Sequence, residues 1–163
     1  MVEIILASKS KVRKEILDKN NIVSQVEQSN VDEDVIKESL LRNKASPEII
    51  SKNLAEFKAN KVSQKNAERL VLGADSVIDL NGELISKPTN REEAFEILKK
   101  LNGKAHNLIS SVCISKNGFM IWNYTDKATL KMKSFTDEEL NVYLSKISDE
   151  NLYAYNVYQI EGE

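Results

Sequence analysis

Residues 70–103 read LVLGADSVIDLNGELISKPTNREEAFEILKKLNG, and the order of signals in this stretch decides the fold class. Leu70-Val71-Leu72-Gly73-Ala74 is an apolar run suited to a buried strand; Asp75-Ser76 interrupts it, and Val77-Ile78 resumes. Asn81-Gly82 is the strongest hairpin signal in the chain and sends Glu83-Leu84-Ile85 back antiparallel. Lys87-Pro88 ends that strand. Thr89-x-x-Glu92 reads as a capping box that opens a helix with Phe95, Leu98 and Leu101 inward, stopped by Asn102-Gly103. Strand, hairpin and helix in this order do not form a strict βαβ alternation, so the sheet is expected to be mixed and the fold class α/β.

The flanking segments extend the pattern. Val2-Glu3-Ile4-Ile5-Leu6-Ala7 reads as a strand, broken by Ser8-Lys9-Ser10 before Val12, Ile16 and Leu17 recur at helical spacing, with Ser10 as the cap. A strand is expected around Ile22 to Gln25, then an acidic turn at Asp32-Glu33-Asp34 and a short helix. Ser46-Pro47 places a cap residue and a first-turn proline ahead of Ile50, Leu54 and Phe57, which predicts an amphipathic helix to about Gln64. Its polar side is expected to carry Lys52, Lys58, Lys61 and Lys65. Strands over His106–Ser115 and Phe119–Met132 meet at Asn117-Gly118, and Thr136-x-x-Glu139 caps a last helix with Leu140, Tyr143 and Leu144 inward. The Tyr- and Asn-rich end, from Asn151 to Glu163, shows no closing element.

Composition bounds the function. The 163 residues carry 23 Lys and Arg against 25 Asp and Glu, with 41% hydrophobic and 29% charged residues, which is a globular composition for one ordinary domain. No apolar stretch approaches the ~20 residues of a membrane span, and the N-terminus lacks the features of a signal peptide, so a cytoplasmic location without membrane association is expected. One cysteine, Cys113, excludes an internal disulfide framework and a Cys-based zinc cluster; one histidine, His106, excludes a His-rich metal site. A net charge of −2 argues against direct nucleic-acid binding.

Several polar groups stand out of place in regular elements. The Ser8-Lys9-Ser10 turn with Arg13 sets two hydroxyls, cations and free backbone N–H groups at a helix start, where phosphate is the natural guest; an ordinary capped helix with a solvated Arg13 fits the same spacing. Asp75 lies inside an apolar strand, and a buried carboxylate must be paired, metal-bound or catalytic; a strand end with an exposed Asp75 is the competing reading. Lys58 and Lys87 are candidate phosphate partners or solvated surface lysines, and Glu33 is a candidate ligand or a polar-turn residue. His106 and Cys113 read most simply as structural. Carboxylates with several cations suit a triphosphate and a divalent metal. There is no G-x-x-x-x-G-K-[ST] and no G-x-G-x-x-G motif, which sets aside P-loop ATPases and dinucleotide binders.

Seven segments in order resemble one family. Leu6 to Leu17 resembles the L-A-S-x-S-P-R-R-x-x-L-L opening of the Maf family of nucleoside triphosphate pyrophosphatases, with Lys11-Val12-Arg13 standing where the family has Pro-Arg-Arg. Val31-Asp32-Glu33 resembles its V-D-E, Leu54 to Ala59 its L-A-x-x-K-A, and Gly73 to Val77 its G-A-D-T-V. Asn81-Gly82-Glu83 with Lys87-Pro88, Leu101 to His106, and Tyr158 to Gly162 are similar to x-G-E-x-x-x-K-P, L-S-G-x-x-H and Y-x-I-[QE]-G. Ahead of Tyr158, Tyr155-Asn156-Val157 replaces the family's small-residue A-G-[AS].

The resemblance implies an inosine-triphosphatase-like fold, an elongated mixed sheet with flanking helices and a cleft between two lobes. It implies a single Maf-like domain over residues 1–163, without the strand and helix that follow the last motif in family members. It implies hydrolysis of a nucleoside triphosphate to monophosphate and pyrophosphate with a divalent cation, Mg²⁺ or Mn²⁺, with links to clearing non-standard nucleotides and to arrest of cell division; a homodimer is compatible with it. Carried over by motif, Asp75 is the proton acceptor that activates water. Ser8, Ser10, Arg13, Lys58 and Lys87 hold phosphates, and Glu33 and Glu161 assist with metal or substrate. A nucleotide-binding division regulator with weak or no turnover is the alternative, and release of pyrophosphate separates the two. The preferred base is not legible.

Overall fold

The computed structural model describes residues 2–158. Among them are six strands and six helices, in the order β1 (Ile4–Leu6), α1 (Lys11–Lys19), β2 (Ser24–Val26), α2 (Glu33–Arg42), α3 (Pro47–Ser63), β3 (Val71–Leu80), β4 (Glu83–Ile85), α4 (Arg91–Leu101), β5 (Ala105–Lys116), β6 (Phe119–Lys131), α5 (Asp137–Ser145) and α6 (Asp149–Tyr155). The sheet follows the order β2-β1-β3-β5-β6, with β4 paired to β3. β1 runs parallel to β2 and β3, with Ile5 beside Val71 and Leu6 beside Leu72, while β4 returns antiparallel with Ile85 opposite Ile78. The mixed α/β architecture agrees with the sequence.

Local chemistry sets the element ends. Ser10, Ser46 and Thr136 cap α1, α3 and α5 as expected, Thr136 within a full capping box with Glu139. Asn81-Gly82 and Asn117-Gly118 both hold two consecutive positive φ angles, the backbone of a tight hairpin turn that Asn and Gly adopt at least cost.

Five details differ from the sequence reading. The cap of α4 is Asn90, whose side chain accepts from the Glu93 N–H, while the Thr89 hydroxyl and N–H both bond to Glu93. β3 continues through Asp75-Ser76 without interruption, because polar side chains do not break a ladder whose backbone bonds are intact. Phe57 faces outward at 48% exposed, and Lys58 takes the buried face of α3 instead. Tyr143 stays near the surface while its neighbours Leu140 and Leu144 are buried. α6, capped by Ser148, closes on Leu152, which a Tyr- and Asn-rich composition concealed.

The chain divides into two units, each with its own core. The first runs to Val77 and takes in Ile109–Lys127, around Ile5, Ala7, Ala55, Ala59, Val62, Val71 and Cys113. The second holds Ile78–Leu108 and the chain from Ala128 on, around Ile78, Leu98, Leu101, Leu140, Leu144 and Leu152. Among the described residues no helix is long and apolar enough to cross a membrane.

Candidate active site

The candidate site grows out of the first unit's core. Ile5 and Leu6 of β1 and the following Ala7 are fully buried, so the chain leaving the strand delivers Ser8 with 6% exposure. Ser10 then accepts from the Arg13 N–H at 3.3 Å and starts α1. The Ser8 hydroxyl accepts from the Ser10 N–H at 3.2 Å and from Arg13 Nη1 at 3.1 Å. Arg13 Nη1 also donates to the Ala74 carbonyl at 2.9 Å, tying the turn to β3 one residue before Asp75. Both serine oxygens therefore accept bonds inside the turn, and each hydroxyl keeps its hydrogen as a donor.

Asp75 faces α3. The approach is close because Gly73 offers no side chain: a Cβ there would lie 2.2 Å from the Ala55 carbonyl oxygen and 2.8 Å from Ala59 Cβ. Two groups on one stripe of α3, seven residues apart, then hold Asp75. The fully buried Ser51 hydroxyl donates to the Asp75 backbone carbonyl at 3.1 Å, and Lys58 Nζ donates to Asp75 Oδ1 at 3.0 Å. Lys58 also lies 2.9 Å from Glu33 Oε1, so one buried ammonium bridges two carboxylates. Glu33 comes from the first turn of α2, begun by Asp32 as cap, and not from a solvated turn.

The electrostatics are asymmetric. Asp75 is 7% exposed, and its Oδ2 is buried with no hydrogen-bond partner among the described residues. Burial pushes its carboxyl above the usual aspartate range, and the neighbouring Lys58 and Arg13 charges pull it back only in part, with Glu33 adding to the rise. An orphaned carboxylate oxygen in a buried site costs free energy unless something is to occupy it. The competing reading of Asp75 as an exposed strand end is set aside.

The donor set also decides what cation fits. Among the described residues no three His, Cys, Asp or Glu gather into a cage. Mg²⁺ needs only one or two carboxylates when phosphate oxygens complete its shell, and Asp75 and Glu33 offer hard oxygen donors around one ammonium. The residues fit such an ion.

Lys87 belongs to the second unit and is exposed ahead of the buried Pro88. Glu161 falls outside the described residues. His106 is buried in the second unit, its Nε2 2.7 Å from the Tyr158 hydroxyl. Cys113 is a buried free thiol raised to about 11 by burial, which suits a core residue and not a nucleophile. Sequence reasoning missed Ser51; the signal was its place seven residues before Lys58 on the stripe that carries Leu54 and Ala55.

Residues 3–163 match the Maf-like protein family. A nucleoside triphosphate pyrophosphatase of Pelagibacter ubique is 72% identical over 161 residues, which span 99% of this chain and 83% of that protein. A 7-methyl-GTP pyrophosphatase of Brucella abortus is 32% identical over 161 residues, 99% of this chain and 81% of that protein. Among solved structures, a HAM1 protein from Coxiella burnetii superposes with a TM-score of 0.51 at 14% identity, covering 80% of this chain and 72% of that one, a likeness of fold.

Proposed function

The chain belongs to the Maf family, and on that premise we propose that it hydrolyses a nucleoside triphosphate between its α and β phosphates. The observation that carries the reading is the Asp75 carboxylate, buried, clamped at Oδ1 by Lys58 and left with an Oδ2 that has no partner among the described residues. A water oxygen bonds to the α-phosphorus, its proton passes to Asp75 Oδ2, and the α–β bridging bond breaks with its electron pair leaving on pyrophosphate. The second product is the nucleoside monophosphate. A base held above the ordinary aspartate range takes a proton more readily than a solvated one, provided that it is ionised at the working pH.

The cations meet the charge that would repel such a water. Arg13 and the hydroxyls of Ser8 and Ser10 bind phosphate oxygens at the start of α1, where backbone N–H groups and the helix dipole add positive potential. Lys58 fixes the orientation of Asp75, and Glu33 keeps Lys58 in place. Lys87 and Glu161 keep the phosphate-binding and assisting roles that the motifs suggest. A divalent cation, Mg²⁺ or Mn²⁺, would be held by Glu33 and Asp75 with the substrate's own phosphate oxygens, and when bound it supplies charge neutralisation on the triphosphate.

The test is incubation with a panel of nucleoside triphosphates, 7-methyl-GTP included, with Mg²⁺ or Mn²⁺. Monophosphate and pyrophosphate are expected in equal amounts. Orthophosphate as the first product would contradict the reading, and nucleotide retained without turnover would favour the division-regulator alternative.

A further inference from the structure

β6 is a border of the sheet, at the end of the order β2-β1-β3-β5-β6. It pairs with β5 on one side, and among the described residues no strand pairs with it on the other. At 13 residues it is long for an edge, whereas β2, at the opposite border, has three. A free edge presents unpaired backbone N–H and C=O groups, which proteins ordinarily shield with charge, proline or brevity. Nothing of that kind shields Phe119–Thr125, which holds neither an ionised side chain nor a proline.

The same segment is apolar and bare. Phe119, Ile121, Trp122 and Tyr124 are 49–75% exposed, and Met120 is 37% exposed. An aromatic side chain brings about 150–250 Å², so these five leave on the order of 500 Å² of apolar surface in water. A contiguous patch of that size marks an interaction site more often than a bare surface. A standard interface takes about 800 Å² from each partner, rather more than half of it apolar, so the patch is what one stable interface requires.

We propose that this edge pairs with the same edge of a second copy of the chain, antiparallel, about a two-fold axis at Trp122. The occupant follows from the segment's own symmetry. With Trp122 opposite Trp122 of the second copy, Met120 falls opposite Tyr124, Phe119 opposite Thr125, and Ile121 diagonal to Ile121, so apolar groups meet and no like charges are opposed. Strand residues alternate between faces, so Met120, Trp122 and Tyr124 of both copies make one stripe. Part of it is preformed: the Trp122 and Tyr124 rings stack with planes 11° from parallel. A charged peptide finds no counter-charge in Phe119–Thr125, and a foreign apolar strand needs a matching run that the second copy carries by symmetry. The axis also closes the assembly. Pairing uses up β6, and three-residue β2 offers too few ladder groups to continue, so a dimer forms and not a fibre.

Trp122 is the single tryptophan of the chain, so its emission reports this contact directly. The whole protein is diluted through the micromolar range while sedimentation velocity and Trp122 fluorescence are followed. A dimer is expected, and its dissociation should red-shift the emission at the same concentration midpoint. Trp122→Lys and Trp122→Glu each set like charges opposite one another at the axis. Either variant alone should dissociate at least about tenfold more readily than wild type, and an equimolar mixture of the two should recover the dimer. Ile121→Lys, at an exposed position that keeps the fluorophore, should weaken the dimer in the same way, with thermal melts as the folding control. A monomer at every concentration, a dimer unmoved by these substitutions in folded protein, a Lys–Glu mixture no more associated than either variant alone, or dissociation without a change in Trp122 emission would each overturn the proposal.

Discussion

At the scale of the residue, the free energy of the site turns on Asp75. Replacing it by Asn keeps the shape, so Val71, Gly73 and Val77 should pack as before, but the amide can no longer take a proton. The expected loss of turnover is about 10²–10⁴-fold with nucleotide affinity retained, measured as kcat and Kd beside wild type. The raised pKa fixes the sign of the pH effects. Because the base must be ionised, the acid limb of kcat/KM should lie above the pH at which an ordinary aspartate titrates. The folded state binds the Asp75 proton more tightly than the unfolded chain does. Its stabilising contribution is therefore complete below the unfolded pKa and is lost as pH rises through the folded one. The melting temperature of Asp75→Asn should thus gain on wild type between pH 4 and pH 8; a difference independent of pH would mean that Asp75 is not raised. The sequence made Asp75 visible as a carboxylate in an apolar strand. It could not reveal Lys58 as its partner, because a lysine on an amphipathic helix looks solvated until the helix is docked.

At the scale of the element, the site depends on how closely α3 lies on β3. Gly73→Ala puts a methyl 2.2 Å from the Ala55 carbonyl, which backbone cannot yield without moving the helix. A loss of stability of about 1–3 kcal/mol is expected, with turnover falling further than stability alone predicts, because Ser51 and Lys58 move together away from Asp75. Urea melts and kcat measured well below the midpoint separate the two effects. The start of α4 tests a smaller point. Asn90→Ala should cost roughly 0.5–2 kcal/mol, since the Asn90 side chain caps the helix, and equal stability of this variant and wild type would return the cap to Thr89. Both residues can cap, and Thr-x-x-Glu fits the capping box as written, so only the backbone geometry chooses between them. Helix starts and Asn-Gly turns were legible because local chemistry sets them, whereas α6 was not, because its stability comes from burying Leu152 in a core that no local pattern records.

At the scale of the molecule, two apolar clusters serve two units, yet β3, β5 and β6 each pass from one unit into the other without a break in the chain. β3 leaves Val71 in the first core and Ile78 and Leu80 in the second. The mixed sheet was legible from one hairpin and its flanking strands, but the division into two cores was not, since apolar spacing shows that a residue is inside without showing which inside. The shared strands make a prediction about cooperativity. Leu98 is 2% exposed in the second core, and Leu98→Ala should destabilise by about 2–5 kcal/mol. Trp122, the single tryptophan, sits on β6 within the first unit, stacked on Tyr124 with ring centroids 6.4 Å apart, so its fluorescence reports the unit that does not contain the substitution. If continuous strands bind the two cores into one cooperative structure, Trp122 fluorescence and far-UV circular dichroism should shift to the same lower midpoint in Leu98→Ala. A fluorescence midpoint left at the wild-type value while the dichroism falls earlier would show that the strands unfold in halves and that the first unit, with Asp75, Lys58 and Arg13, holds its shape alone.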